Sequence, residues 1–174
     1  PGNLAMLTRN LRLNGLGQVQ AYPWAVGDRA GPATLFRSPD NQGDHRLFPF
    51  QAGQGSLAVK QCCLDDLPEL AGSVRLLKVD AQGWEVKVLR GAARMVAAMR
   101  GHGHLLLECW PHGLQGAGDV AAQLLQPLQE QGWRMAVVDE QARILRPISA
   151  TDLLRELEQP WYTQAQGFCN LWLE

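Results

Sequence analysis

Leu76-Leu77-Lys78-Val79-Asp80-Ala81-Gln82-Gly83-Trp84-Glu85-Val86-Lys87-Val88-Leu89-Arg90-Gly91-Ala92 reads as a short apolar strand ending in a carboxylate, a glycine turn and the start of a helix. Val88, Leu89, Ala92, Met95, Val96 and Met99 recur at three-and-four spacing, so one face of that helix is apolar. Leu105-Leu106-Leu107-Glu108-Cys109 repeats the theme of an unbroken apolar run closing on an acid. Runs without in-and-out alternation, separated by a helix, are what a sheet buried on both faces requires. The stretch predicts an α/β layer fold with a mainly parallel sheet and helices on both faces. Right-handed crossovers bring the carboxyl ends of such strands to one edge, where ligands bind.

Working outward, Asn3 can cap a first helix through Leu4, Leu7 and Leu11, and Asn14-Gly15 supplies its left-handed end. Val19 to Val26 reads as a strand that Pro23 confines to an edge or an irregular start. Ala33 to Phe36 and Leu57 to Cys62 read as two more strands, and the Gly-, Pro- and Gln-rich Ser38 to Gly55 between them as a functional or mobile loop. Downstream, Asp119 can cap a helix that Pro127 should kink or interrupt. Trp133 to Val138, Arg143 to Leu145 and Phe168 to Leu173 read as strands, and Ser149 opens a helix closed by Pro160. No linker divides the chain, so 1–174 is read as one domain.

The 174 residues carry 16 Lys and Arg against 17 Asp and Glu, and 46% are apolar, the balance of an ordinary globular domain. Eighteen glycines and ten prolines fall well short of the ~25–30% that marks low-complexity sequence. A charge of −1 lacks the basic footprint of a nucleic-acid binder and the polybasic run of a membrane binder, so neither is an expected partner. Cys62, Cys63, Cys109 and Cys169 match no disulfide framework and read as reduced thiols of a cytoplasmic protein. The chain starts at Pro1 directly in a helical pattern, which predicts that it begins inside a larger polypeptide.

Asp28, Asp80 and Glu108 all close predicted strands, and acids on neighbouring strands ~4.8 Å apart share a crevice. Close acids drive one pKa upward, which suits a general base or the binding of a cation; the plainer alternative is helix capping or pairing with an arginine. Glu85 reads as structural, a negative charge in a helix's first turn. Trp84 and Trp110 follow the two acids and can wall a pocket, hold a cation or simply pack. His102, His104, Glu108 and His112 match no metal-ligand spacing, so no metal is expected. Arg90 and Arg94 read as a solvated face, and Cys62-Cys63 as packing. No phosphate-cradling glycine loop or nucleophile elbow is present, and these residues by themselves name no reaction.

Leu76 to Ala92 strongly resembles the signature of FkbM-type methyltransferases, roughly L-K-I-D-V-E/Q-G-x-E-x-x-V-L-x-G-A. Further collinear matches are Pro1-Gly2-Asn3 with Leu7, Asn10, Asn14 and Gly15, then Ala25-Val26-Gly27-Asp28, Leu64-Asp65-Asp66-Leu67 and Leu105-Leu106-Leu107-Glu108. The resemblance implies a class I methyltransferase-like, Rossmann-like fold and S-adenosylmethionine-dependent methyl transfer to a hydroxyl oxygen of a small molecule or saccharide. It implies that Val26, Gly27 and Asp28 border the adenine, that Asp80 lies beside the transferred methyl, and that Glu108 stands on the acceptor side. Gln82 occupies a place where many relatives have Glu. The family's first strand, glycine-rich cofactor loop and second strand would precede Pro1, which makes this chain a methyltransferase-like domain truncated at its amino-terminal end. The other reading is a non-catalytic binding or assembly module. A phosphoacceptor receiver using Asp80 is disfavoured because its acidic pair and later Thr and Lys are not evident.

Overall fold

The computed structural model describes residues 2–70 and 72–174, so Pro1 of the matched stretch lies outside the described residues. Helix α1 (Gly2–Leu13) ends as predicted, with Gly15 at φ +68° and Leu16 N–H donating to Leu11 O at 2.9 Å. Its start differs: Asn3 lies inside the helix and donates its side-chain amide to Gln42 O at 2.7 Å. Of the predicted strand from Val19, only β1 (Trp24–Val26) forms, after Pro23. Strands β2 (Gly31–Phe36) and β3 (Ser56–Cys62) pair antiparallel, while β1 pairs parallel with β3. These make a three-stranded sheet ordered β1-β3-β2.

Strand β4 (Leu76–Val79) leads through the glycine turn into α2 (Glu85–Arg90) and α3 (Ala93–Met99). The sequence pattern predicts one helix here, and the structure breaks it at Gly91-Ala92. The break has two causes. A Cβ on Gly91 would collide with the Gly27 carbonyl, and Asp65 caps the new helix start by accepting from Arg94 N and Met95 N, both at 2.9 Å. The apolar face survives the break, with Val86, Val88, Met95, Val96 and Met99 all buried.

Strand β5 (His104–Cys109) is followed by α4 (Pro111–Gly116), α5 (Ala121–Glu130), β6 (Met135–Asp139), β7 (Ile144–Ile148), α6 (Ala150–Glu156) and β8 (Cys169–Leu173). Pro127 sits within α5 without ending it. Asp119 does not cap α5, whose N-cap is Val120. Instead it is buried and ion-paired to Lys87 and, at 3.5 Å, to Arg90, tying α2 to the α4–α5 loop. Ser149 does cap α6, accepting from Asp152 N at 3.0 Å; α6 ends at Glu156, ahead of Pro160.

The main sheet is ordered β4-β5-β8-β6-β7, and only β4 and β5 run parallel in it. The expectation of a mainly parallel sheet is therefore corrected to a mixed α/β fold. Strand β8 returns antiparallel between β5 and β6, and β6–β7 is a hairpin turned at Arg143 with φ +56°. Burial along β5 is stronger on one face than on the other. Along β5, Leu105, Leu107 and Cys109 are buried while His104, Leu106 and Glu108 are only half-buried. The buried set joins Val79, Leu171 and Leu173 in one core with α2, α3, α5 and α6. Alternation in β5 is hidden in the sequence because both of its faces carry leucines.

Candidate active site

The parallel register sets Val79 beside Leu107, so Asp80 and Glu108 emerge side by side at the carboxyl ends of β4 and β5. Gln82 lies between them: its Nε2 donates to Asp80 Oδ1 at 3.0 Å and, more weakly, to Glu108 Oε2 at 3.4 Å. Gln82 has φ +53°, a left-handed backbone unusual for a side-chain-bearing residue. The next residue, Gly83, has φ +97°, and a Cβ there would run into the Gly113 backbone. Glu85 closes this turn from below, with Oε1 accepting from Ala81 N at 2.9 Å and Gly83 N at 3.1 Å. Its structural reading is thus right in kind, with the clamp falling on the turn before the helix.

The two carboxyls are driven in opposite directions. Burial, then the negative charges of Asp80 and Glu85, push Glu108 up to about 7, with Lys78 opposing and Asp44 adding a little. At Asp80, burial is outweighed by hydrogen bonds from Lys78 and Gln82 and by the charge of Lys78, which donates to Oδ2 at 2.9 Å, and its carboxyl is held below its ordinary value. Burial also raises Glu85, against the three backbone hydrogen bonds that lower it. Its Oε2 is buried without a hydrogen-bond partner among the described residues.

Both tryptophans hold cations on their ring faces, and the cations belong to the chain. Lys87 Nζ stands 4.3 Å from the Trp84 ring centre, and the Arg46 guanidinium 4.6 Å from that of Trp110. Trp110 is otherwise buried and donates Nε1–H to Ala165 O at 2.8 Å. Arg46 also lies 4.0 Å over Phe50 and grips Asp44 through two 2.8 Å hydrogen bonds. Phe48 is buried against Trp84, with ring centres 6.4 Å apart. The Ser38 to Gly55 loop therefore lies against the aromatic residues that flank the acid pair.

Val26, Gly27 and Asp28 stand elsewhere. Gly27 N donates to Cys62 O at 3.0 Å, and its carbonyl and Asp28 Cα rest against Gly91 at the far end of α2. Six helical residues, about 9 Å along the axis, separate that point from the turn after Asp80. The structure brings Asp80 and Glu108 together and leaves Asp28, which is exposed, outside their cluster. Sequence reasoning missed Gln82, Asp44 and Arg46 as members of the site. The period-two spacing of Arg46, Phe48 and Phe50 was a visible sign that the loop is ordered.

His104 stacks on Trp172 with ring centres 4.7 Å apart, and His102 and His112 are exposed. Among the described residues no group of three or more His, Cys, Asp or Glu is placed to hold a metal ion. Arg90 and Arg94 are exposed but tied to Asp119 and Asp65. Cys62 is buried, and burial raises it and its half-buried neighbour Cys63.

The structure is a mixed α/β body in which the Gln82 amide bridges two acids at the carboxyl ends of two parallel strands. Residues 3–111, which contain both acids, match the methyltransferase FkbM domain, and the chain belongs to that family. Searches of curated proteins and of solved structures gave no match. No helix among the described residues is long and apolar enough to cross a membrane.

Proposed function

We propose that this chain is the carboxyl-terminal part of a class I methyltransferase-like domain that transfers a methyl group from S-adenosylmethionine to a hydroxyl oxygen of a small molecule or saccharide. The observation that carries the reading is the Asp80–Gln82–Glu108 arrangement within the family-matched stretch. An exposed, ionised Asp80 beside a half-buried acid suits a positively charged sulfonium, which would supply the electrophilic methyl. Glu108 has the proton affinity of a base working near neutral pH: it accepts the acceptor hydroxyl's proton, while Asp80 orients that hydroxyl. Val26, Gly27 and Asp28 border the adenine at a distance from the reacting end. Strands β1 and β4 are edge strands of their sheets among the described residues, and such edges can accept further strands. Free thiols at all four cysteines agree with a cytoplasmic setting, and a charge of −1 with a non-nucleic-acid acceptor.

Calorimetry with S-adenosylhomocysteine, on this chain and on one extended upstream, tests the reading. Binding by the extended chain is expected, and binding by neither favours the non-catalytic module. In an active extended chain, Asp80→Asn and Glu108→Gln should each lower turnover by about 10²-fold or more. An unchanged rate removes the substituted residue from the chemistry.

A further inference from the structure

Among the described residues Gln82 is the side chain hydrogen-bonded to both acids, and two independent features hold it there. We propose that Gln82 is a positioning residue whose single amide nitrogen ties Asp80 to Glu108, and that the buried Glu85 carboxylate keeps it in place by clamping the turn on either side. Asp80 is ionised and only accepts, so the amide presents its nitrogen to it, at 3.0 Å, and Glu108 Oε2 accepts from the same nitrogen at 3.4 Å. The backbone at φ +53° would relax for any ordinary residue in an open loop. Here Ala81 N and Gly83 N, the amides flanking Gln82, are both spent on Glu85 Oε1, and the space behind Gly83 is filled by the Gly113 backbone. These contacts hold the turn in the conformation that aims Gln82 at the acid pair.

A Glu in place of Gln82 would add a third acceptor among carboxylates and remove the amide that donates to both. The amide thus makes this chain's acid pair a coupled unit. The charged groups facing Glu108 are Asp80 and Glu85 from the turn and α2, Lys78 from β4 and Asp44 from the loop; the amide of Gln82 adds no charge to this set. The inference rests on reading Asp80 and Glu108 as one acid pair. Its tests use neither cofactor nor acceptor, so failure of methyl transfer leaves it standing, and its own failure leaves methyl transfer standing.

The measurement is carboxyl ¹³C NMR titration of Asp80 and Glu108 in the wild type, Gln82→Gly and Gln82→Glu. Glycine accepts the left-handed backbone without strain, so Gln82→Gly should fold; Gln82→Asn, the next most tolerant choice, replaces it if it does not. Loss of the donor should raise the proton affinity of Asp80 at least threefold. Gln82→Glu should raise that of the pair at least tenfold. Hydrogen exchange at Ala81 and Gly83 tests the clamp. Glu85→Gln keeps an accepting oxygen and should exchange as the wild type, whereas Glu85→Met fills the same volume without an acceptor and should exchange at least tenfold faster. Glu85→Gln and Glu85→Met both lack the Glu85 charge, so between these two Asp80 should bind a proton more tightly in Glu85→Met, where the clamp and with it the Gln82 donor are lost. Titrations in Gln82→Gly within twofold of the wild type overturn the tie, and slow exchange retained in Glu85→Met overturns the clamp.

Discussion

Glu108 makes the pH behaviour of the protein legible at a single residue. Its folded-state value near 7 lies above the unfolded 4.5, so between those values the folded chain binds more protons than the unfolded one. Stability from this group is full below about 4.5 and is lost as pH rises through 7. Glu108→Gln removes that loss. It should stabilise the protein at pH 8 by about 1–2 kcal/mol, a figure already reduced for the solvent screening of a half-buried group, and should leave stability near pH 4.5 almost unchanged. Denaturant melts at the two pH values check this, and equal effects at both would show that Glu108 is not perturbed. Asp80 has the opposite sign, since its lowered value adds stability that disappears as pH falls through the acid range. Glu108 and Asp80 stand out in the sequence as strand-end acids, but their division into one easily protonated group and one ionised group does not. That division depends on Lys78, Gln82 and burial together.

The break between α2 and α3 belongs to the scale of elements. Periodicity describes the apolar face of Val88 through Met99 correctly and is blind to the interruption, because Gly91 and Ala92 fit a helical pattern as well as a break. What interrupts the helix is distant in sequence: the Gly27 carbonyl on one side and the Asp65 cap on the other. Gly91→Ala should therefore destabilise the protein by about 2–3 kcal/mol, against the small gain that alanine gives in an ordinary helix. Thermal melts decide between the two signs. A stabilised variant would mean that β1 and its Gly27 turn do not rest on α2. The loop from Ser38 to Gly55 makes the same point in reverse. Its composition predicts mobility or function, and its order comes from Arg46 stacked between Phe50 and Trp110.

At the scale of the whole molecule, burial is uneven. The core gathers β4, β5, β6 and β8 with α2, α3, α5 and α6, and Leu105, Leu107, Leu171 and Leu173 are wholly enclosed. Helix α1 buries none of its residues, and Met6 and Leu13 are 60% and 68% exposed. Local stability should follow that division. In native-state hydrogen exchange of this chain, amides of α1 should exchange at least 10³-fold faster than those of β5 and β8. Equal protection would show that α1 is held by contacts its burial does not reveal.

The approximate places of the strands, the acids at the ends of β4 and β5, the Gly15 and Ser149 helix boundaries and the family were readable from the chain, because each rests on residues near one another in sequence or on collinear motifs; the split of α2 from α3 and the short α4 were not. Strand direction, the uneven burial of the two faces of β5, the separation of Asp28 from Asp80, and the part played by Gln82 were not readable either. They arise where segments far apart in the chain meet: β8 between β5 and β6, Gly27 on Gly91, Gly113 behind Gly83. Contacts of that kind are set by how the whole chain closes its core, and local pattern carries no record of them.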